Sequence, residues 1–371
     1  MSSSSEQRGP IAVYGASGYT GRLISAELGR RGADFVLAGR DRAKLERVAA
    51  GVGGPPVRAA ALDDPTALAD LLAPCAAVIA AAGPFALHGE PVVRAAVETA
   101  TAYVDTTGEQ PFMRRVFEVH GPAAKAAGVP LVTAMGFDYM PGDMIAALTS
   151  HELEPIEEVF LAYSVRSFGP SRGTASTAIG QIGGGDVEWR GGALVPASSA
   201  VRRPEHDFPP PVGRQRMTRY PAGEHITVPR HVETANVGTA LSAATSAGHP
   251  RLAPLVGLTM PALQWLVRTR ARGAIERAVA KLPEGPSPAD RERSEFTIDC
   301  RVRAGGRSRR GVIRGRDVYG LTAASTVEAA LRLAGAEPAT GGALAPSQAF
   351  DPADFLAAMK PHGISYELDA A

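Results

Sequence analysis

The 371-residue sequence predicts an α/β fold, in which a doubly wound parallel sheet is followed by a second, α+β domain. Three observations lead to this prediction. Strand-like runs alternate with helical segments in the first third of the chain, the first run enters a glycine-rich turn, and the pattern changes after about residue 155. Such alternation is typical of a parallel sheet with helices on both faces. Ligands bind these sheets at the carboxyl ends of the strands.

The glycine-rich turn follows the first strand-like run, Ile11–Tyr14, and a helix begins inside it. Glycine lets the backbone turn tightly and lets a pyrophosphate approach closely, while the N–H groups of a helix N-terminus bind phosphate. A glycine triplet alone is a weak signal, but this one lies between a strand and a helix. We predict that the turn binds a nucleotide through Gly15, Ala16, Ser17, Gly18, Tyr19, Thr20 and Gly21.

Five more strand-like runs follow along the first third of the chain. They are Phe35–Ala38, Val57–Leu62, Ala76–Ala82, Tyr103–Thr106 and Val129–Ala134. The first, fourth and sixth of the six runs are continuously apolar, as expected of strands that are buried on both faces. Helix starts are marked by Asp41 before Arg42 and by Asp64 before Pro65, which suit capping positions.

The end of the second strand indicates which nicotinamide cofactor binds. NAD-binding domains carry an acidic residue about 20 positions after the glycines, which holds the ribose hydroxyl. Here the strand ends at Arg40, and Asp41 suits a helix cap. Arg40 could bind a 2′-phosphate with Arg42 and Lys44 adding charge, or the three could form an ordinary solvated turn. We predict NADP(H), bound in part by Arg40 and Lys44.

The ends of the third and fourth strands supply further candidate contacts. Asp63 could contact the adenine or extend the cap of the next helix. The fourth strand ends at Gly83, Pro84 and Phe85, where the backbone of a doubly wound sheet passes the nicotinamide ribose. We predict that these three residues contact the cofactor.

Polar residues at the fifth and sixth strand ends are the candidate proton donors. Tyr139 or Asp138 is the first choice, and Asp105 or Glu109 the second. An acid that works at neutral pH would need a pKa shifted by burial. Asp105 and Glu109 could instead cap the helix that includes Phe112–Val116, and Asp143 could cap a helix at Met144–Leu148.

Composition excludes several classes of function. The net charge of +1, from 39 Lys and Arg against 38 Asp and Glu, gives no electrostatic basis for binding nucleic acid. The two cysteines, Cys75 and Cys300, are far apart and predict neither a disulfide framework nor a metal site. Met1–Gly9 is polar and Ser-rich without an apolar core, so we predict a disordered tail and a cytoplasmic protein.

Five segments together resemble the saccharopine dehydrogenase-like oxidoreductases in order and spacing. They are Gly15–Gly21, Gly39-Arg40, Gly83-Pro84-Phe85, Tyr103–Glu109 and Gly136-Phe137-Asp138. The nearest branch is the actinobacterial one that includes trans-acting enoyl reductases, and the resemblance returns at 341–347 and 363–368. It implies a Rossmann-type NADP-binding domain at 10–150, after a tail at 1–9. It also implies a substrate and dimerisation domain at 151–320 and a C-terminal segment, 321–371, that returns to the first domain.

The activity that the resemblance implies is hydride transfer from NADPH to a C=C (enoyl) or C=N (imine) bond of a small or lipid-like substrate, in a homodimer. Two other reductase groups lack support. Neither cysteine lies on a catalytic turn, as semialdehyde-type reductases need, and no tyrosine has lysine four residues on, as short-chain dehydrogenases need. A catalytically silent NADP(H)-binding sensor or partner protein remains the rival hypothesis, since one fold hosts many functions.

The remainder of the chain predicts fewer functional features. Val159–Val165 suits a strand, Gly173–Ile182 a helix, Asp186–Tyr220 a long excursion or lid, Phe296–Val302 with Ser308–Arg314 a hairpin, and Leu321–Leu333 a helix. Leu252–Val267 is apolar but shorter than the roughly 20 residues of a spanning helix. This apolar run and the basic helix that follows it make up residues 252–281. The segment suits either an interface helix pair or a peripheral contact with a membrane surface.

Overall fold

The computed structural model describes residues 8–181, 185–198, 201, 203–247, 266, 269, 272–335 and 340–369. These residues form two compact units. The first unit contains the described residues up to Phe137 together with Tyr319–Ala349, and the second contains Asp138–Val318 and the described residues from Phe350 onward. Each unit is built on its own seven-stranded sheet.

The sheet of the first unit is entirely parallel. With strands numbered along the chain, it contains β1 (Ile11–Tyr14), β2 (Phe35–Gly39), β3 (Val57–Ala59), β4 (Ala77–Ala80), β5 (Ala102–Asp105), β6 (Pro130–Val132) and β15 (Gly342–Leu344). Their order is β15-β6-β5-β4-β1-β2-β3. Six of them follow the order of dinucleotide-binding domains, whose ligand site lies where the strand order reverses. The predicted doubly wound fold is confirmed.

Helices connect these strands, and their starts follow the predicted caps. They are α1 (Tyr19–Arg30), α2 (Arg42–Gly51), α3 (Pro65–Leu72), α4 (Phe85–Glu98), α5 (Gln110–Arg115), a π-helical turn (Val116–His120), α6 (Gly121–Ala127), α13 (Val318–Ala334) and α14 (Pro346–Ala349). The Asp41 carboxylate accepts from the Lys44 N–H at 3.1 Å, and that of Asp64 accepts from the Ala67 N–H at 2.9 Å. Both caps satisfy N–H groups that a helix start leaves unpaired.

The second unit contains a mixed sheet. Its strands are β7 (Ile156–Arg166), β10 (Glu205–Asp207), β11 (Arg214–Arg219), β12 (Val237–Ser242), β13 (Glu295–Ala304), β14 (Arg307–Arg316) and β16 (Ser365–Leu368), beside a separate pair, β8 (Val187–Arg190) and β9 (Ala193–Pro196). In the order β10-β11-β12-β7-β13-β14-β16, β7 and β12 are parallel and the other neighbours antiparallel. The predicted α+β class and the β13–β14 hairpin are confirmed.

The helices of the second unit are shorter on average than its central strands. They are α7 (Met140–Ser150), α8 (Arg172–Gln181), α9 (Glu224–Thr227), α10 (Ala243–Ala247), α11 (Arg272–Ala280), α12 (Pro288–Glu292), α15 (Pro352–Met359) and 3₁₀ turns at Val228–Arg230 and Lys360–His362. Helix α7 packs against β13 and β14, so the first helix after the parallel sheet belongs to the second unit.

The prediction of a long excursion or lid at Asp186–Tyr220 was wrong, because this stretch carries β8, β9, β10 and β11. Gly191 and Gly192 adopt φ of +59° and +77° and form the turn between β8 and β9. Glycine adopts such φ values at little cost, so a glycine-rich stretch can mark a hairpin as readily as a loop. The arginines of these strands are largely exposed. The sequence therefore lacks the apolar–polar alternation by which the strands could have been predicted.

The C-terminal segment divides between the two units. Strand β15 pairs with β6 in the parallel sheet, as the expected return to the first domain requires. Strand β16 instead pairs with β14 in the mixed sheet. The segment expected to return as a whole therefore does so only to Ala349, because the chain then adds a strand to the open edge of the second sheet.

Most of the predicted interface or membrane segment, residues 252–281, lies outside the described residues apart from Leu266, Thr269 and helix α11. Among the helices that the structure does describe, none has the length and apolar character needed to cross a membrane.

Candidate functional site

The glycine turn brings two backbone segments into direct contact. Gly15 has a φ of +90°, and a Cβ placed there would lie 2.9 Å from the carbonyl carbon of Ala81. A Cβ on Gly21 would overlap the carbonyl oxygen of Gly15, against which α1 packs. The Gly18 N–H donates to the same oxygen at 3.0 Å. The turn thus requires glycine at 15 and 21, and it forms a cradle without side chains beside the β1 end.

Helix α1 begins at this cradle without a side-chain cap. Gly18 is its N-cap residue and, having no side chain, accepts no bond from the first-turn N–H groups. The Arg22 guanidinium donates to the Ser17 carbonyl oxygen at 2.8 Å, which holds the turn in shape. An uncapped N-terminus of a 12-residue helix beside a glycine cradle fits the pyrophosphate of a dinucleotide.

Arg40 is the available cation at the end of β2. Lys44 pairs with Asp41 at 3.4 Å, and Arg42 with Glu46 at 3.8 Å. The Arg40 side chain is exposed and makes no hydrogen bond or ion pair within the described part of the chain. A free guanidinium at this strand end fits the predicted contact with a 2′-phosphate. Lys44 as a contact stays a prediction.

At the end of β3, Asp64 caps α3 while the neighbouring Asp63 is exposed. The Asp63 side chain is not the cap of that helix, so the adenine contact is the hypothesis that remains for Asp63.

At the end of β4, helix α4 begins at Phe85, directly after Gly83 and Pro84. The contact of these three residues with the cofactor stays a prediction.

Glu109 is bound to the start of α4. Its buried carboxylate accepts from the Phe85 N–H at 2.7 Å and from the Ala86 N–H at 2.9 Å. The alternative that Glu109 caps the following helix is not what the structure shows: Glu109 is the N-cap residue of α5, but its side chain instead accepts from the first N–H groups of α4. With each oxygen on a backbone N–H, this geometry favours a structural role, and proton donation by Glu109 stays an untested prediction.

Asp105 ties the end of β5 to the chain that leaves β6. Its carboxylate accepts from the Thr107 N–H at 3.0 Å, the Ala134 N–H at 2.8 Å and the Thr133 hydroxyl at 3.0 Å. Burial raises the pKa of Asp105 to about 6, although these bonds lower it. The side chain is fully buried and caps no helix, so the structure favours a role in holding the strand ends together.

Because the folded-state pKa of Asp105 lies above the ordinary value of 3.8, folding favours its protonated form. Stability should therefore fall as pH rises from about 4 to about 7, by up to about 3 kcal/mol from this group. In Asp105→Asn the amide oxygen can still accept both N–H bonds, so this fall should be absent and the variant more stable near pH 7. Chemical denaturation of both proteins across this range measures the difference. A wild-type pH dependence retained in the variant would contradict the assignment.

Tyr139 and Asp138 begin the second unit. Asp138 is exposed, whereas Tyr139, the N-cap residue of α7, is buried. Burial raises the pKa of Tyr139 well above its ordinary value, and its hydroxyl shares a hydrogen bond with Tyr220. The possible capping role of Asp143 is not observed, because Asp143 lies inside α7 and accepts from His231 Nε2 at 2.8 Å.

Four polar side chains near Tyr139 were not predicted from the sequence: Tyr163, Tyr220, Glu224 and His231. Glu224 is fully buried and accepts from the Tyr163 hydroxyl. Burial, with smaller contributions from the charges of Asp143 and Asp138, raises the pKa of Glu224 to about 8. These residues belong to separate elements, and no local motif links them.

Residues 11–132 match the family model described as the saccharopine dehydrogenase NADP binding domain. The first unit thus has an NADP-binding domain similar to that of saccharopine dehydrogenases. This confirms the predicted NADP cofactor, the resemblance and the oxidoreductase class, and the glycine cradle, uncapped α1 and free Arg40 fit that cofactor. Within the described residues, no group of three or more His, Cys, Asp or Glu side chains could hold a metal ion.

Proteins similar to this NADP-binding oxidoreductase match it over different lengths. A provisionally named trans-acting enoyl reductase of Mycobacterium tuberculosis is 29% identical over 332 residues, covering 78% of this chain and 79% of that protein. The trans-acting enoyl reductase of Mycobacterium leprae is 34% identical over 140 residues, 36% of this chain and 34% of its own. The human saccharopine dehydrogenase-like oxidoreductase is 28% identical over 161 residues, 38% of each chain.

A solved structure resembles the fold of both units. The apo saccharopine dehydrogenase (L-Glu forming) of Saccharomyces cerevisiae superposes with a TM-score of 0.62 at 16% identity, covering 98% of this chain and all of that one. At this identity the likeness establishes the architecture of the NADP-binding oxidoreductase.

Proposed function

We propose that this protein is an NADPH-dependent reductase of a C=C bond in an enoyl group carried by a lipid-like or polyketide-like substrate. The observation that carries the proposal is the similarity to the mycobacterial enoyl reductase over 332 residues, which extends well beyond the NADP-binding domain. An imine C=N bond is the second candidate, supported by the similarity to saccharopine dehydrogenase-like proteins.

NADPH, when bound, supplies the hydride. The cradle at Gly15, Gly18 and Gly21 would hold the pyrophosphate, and Arg40 would hold the 2′-phosphate. Gly83, Pro84 and Phe85 would contact the nicotinamide ribose. Reduction of the double bond also requires one proton, which a side chain of the protein delivers to the carbon next to the one that receives the hydride.

Tyr139 is the proposed proton donor. Burial keeps its hydroxyl protonated at neutral pH, and the bond to Tyr220 orients it. The exposed Asp138 beside it is the second candidate. Removal of the hydroxyl in Tyr139→Phe should lower turnover by about 100-fold or more while NADPH affinity is retained, since acid catalysis contributes about that much.

Binding and turnover can be tested in one assay. NADPH is titrated by its fluorescence, and enoyl thioesters of increasing chain length and cyclic imines are then scanned for loss of the reduced nicotinamide absorbance. Turnover of a thioester supports the proposal, and turnover of imines alone would shift it to the C=N bond. Tight NADPH binding with no turnover in either class would refute it in favour of the sensor hypothesis.

Arg40→Ala should weaken NADPH binding by about tenfold or more and leave NADH nearly unchanged, because a hydrogen-bonded charge pair contributes about 1.5–3 kcal/mol. Arg30→Ala is the matched control, since this exposed arginine in the last turn of α1 is paired with Glu27. Fluorescence titration with both cofactors gives the dissociation constants. Equal losses for NADPH and NADH would refute the 2′-phosphate contact.

Two predictions about assembly and location are kept as part of the proposal. The homodimer can be tested by light scattering. A peripheral contact of residues 252–281 with a lipid surface can be tested by sedimentation with anionic vesicles. A Caenorhabditis elegans protein named for its lipid droplet localisation is 35% identical over 146 residues, 36% of this chain, and supports the second prediction.

A further inference from the structure

A cluster of polar side chains is buried against the first turn of α7 in the second unit. We call it the relay cluster, and it contains Tyr163, Tyr220, Glu224, Asp143 and His231. At its centre, the Tyr163 hydroxyl donates to Glu224 Oε1, and both residues are almost completely buried. Gly142 makes this pair sterically allowed, because a Cβ there would overlap both the hydroxyl and the carboxylate oxygen.

One end of the cluster reaches a surface cleft. Asp143, fully buried, accepts from His231 Nε2 at 2.8 Å, and the His231 side chain is 9% exposed. His231 also lines a cleft of about 970 Å³ together with Trp189, Arg230 and Glu233. Its Nδ1 is buried without a hydrogen-bond partner within the described part of the chain, as is Glu224 Oε2. Groups that can take up or release a proton therefore lie between the cleft and the protein interior.

The other end of the cluster reaches Tyr139. The Tyr220 hydroxyl shares a hydrogen bond with Tyr139, and the Tyr220 ring meets the Tyr163 ring edge-on with centroids 5.4 Å apart. The Tyr220 backbone is held in place because the Thr239 hydroxyl donates to its carbonyl oxygen. Every group from His231 to Tyr139 thus belongs to the second unit, and Tyr163, Glu224, Asp143 and Tyr139 are buried within it.

We propose that the relay cluster is an internal proton relay that restores the proton which Tyr139 gives up in each turnover. This inference rests on the proposed reductase function. As the Tyr139 O–H bond breaks, a C–H bond forms on the substrate. The Tyr139 oxyanion takes a proton from Tyr220. Because only the rings of Tyr220 and Tyr163 are in contact, Tyr220 regains its proton from Tyr163 through a bridging water. Tyr163, which donates to Glu224 Oε1 at rest, then regains a proton from the Glu224 carboxyl along the same hydrogen bond with the direction reversed. His231 and Asp143 then return a proton from solvent to Glu224, and no electrons move in these steps.

The charge state of Glu224 suits this role. Burial raises its pKa to about 8, so near neutral pH most of its carboxyl groups hold a proton to give. The titratable groups that interact with it are Tyr163 from β7, Asp143 from α7, Tyr220 after β11, Tyr139, Cys300 from β13, and Asp138, whose charge also raises that pKa. A cluster that only joined α7, α9 and β7 would need the same packing but no exchange of protons with the cleft.

Proton exchange can be measured without any substrate. In the full-length protein, the infrared band of a buried protonated carboxyl should titrate near pH 8 and disappear in Glu224→Gln. After rapid mixing into D₂O, this carboxyl should exchange at least about tenfold more slowly in His231→Gln than in the wild type, because its route to solvent is broken. His151→Gln is the control, since His151 is an exposed residue outside the cluster. Equal exchange rates in His231→Gln and wild type would overturn the proposal.

Once a substrate is identified, the steady-state rate of turnover provides a second test of the relay. In Glu224→Gln, NADPH affinity and the first turnover should be retained, while the steady-state rate falls at least about tenfold and Glu224→Asp partly restores it. The descending limb of the pH profile should also be lost. An unchanged pH profile would refute the relay even in an active reductase. If no substrate is turned over, the reductase proposal fails, and the exchange rates still decide whether the cluster conducts protons. Should Glu224→Gln not fold, Tyr163→Phe removes the central bond instead.

Discussion

Replacing Gly21 by alanine is expected to abolish NADPH binding and to lower the free energy of unfolding by about 1–3 kcal/mol, the usual cost of overpacking. The added Cβ would overlap the Gly15 carbonyl oxygen and lie 2.8 Å from Ala16 Cα. Both neighbours are backbone atoms that cannot rotate away. Helix α1 would have to separate from the β1 end, and the cradle for the pyrophosphate would open.

The control for this variant is Gly51→Ala at the end of α2, where an added Cβ meets no atom within 4 Å. That change should leave NADPH affinity intact and alter stability by no more than about 1 kcal/mol, in either direction. Urea denaturation and NADPH fluorescence measure the two effects. If Gly21→Ala kept wild-type stability and affinity, the close packing of α1 on the turn would be disproved.

Replacing Glu109 by alanine is expected to lower the free energy of unfolding by about 3 kcal/mol, because one buried and one partly buried N–H group lose a charged acceptor. Those groups belong to Phe85 and Ala86, so the start of α4 should loosen together with the turn at Gly83 and Pro84. Glu109→Gln keeps one acceptor oxygen, so its free energy of unfolding should lie between those of the wild type and Glu109→Ala. Urea denaturation measures the loss, and weaker NADPH binding should accompany it.

Glu118→Ala is the control for this prediction. Glu118 is an exposed residue paired with Arg114 on one helical surface, and such pairs contribute about 0.5 kcal/mol or less. The two roles of Glu109 lead to opposite results. A large loss of turnover at unchanged stability would make Glu109 the proton donor and would displace Tyr139 from that role.

The cofactor half of the site could be predicted because its signals are local. The strand Ile11–Tyr14, the turn to Gly21 and the start of α1 are consecutive, and Arg40 follows the very next strand. The glycines there are required by the conformation of their own backbone, and arginine is a residue type that binds phosphate. Alternation of strands and helices was likewise enough to predict the parallel sheet, whose strand order then brings these ends together.

Side-chain direction at the strand ends could not be predicted in the same way. The sequence correctly placed Asp105 at the end of β5 and Glu109 shortly after it. Whether a carboxylate there faces a ligand or a neighbouring N–H depends on β6 and α4, which supply the donors from 29 and 24 residues away. In the structure both carboxylates accept from backbone N–H groups, and their role as second-choice proton donors stays a prediction.

What the sequence by itself determined is the α/β fold of the first unit, the mixed α+β class of the second and the NADP cofactor. These follow from periodicity, glycine geometry and charge over a few dozen consecutive residues. Only the tertiary structure revealed the relay cluster, which joins Glu224 to Tyr163 across 61 positions and His231 to Asp143 across 88. The physical reason is that a mixed sheet brings distant segments side by side, and burial then gives Glu224 a raised pKa that no local pattern encodes.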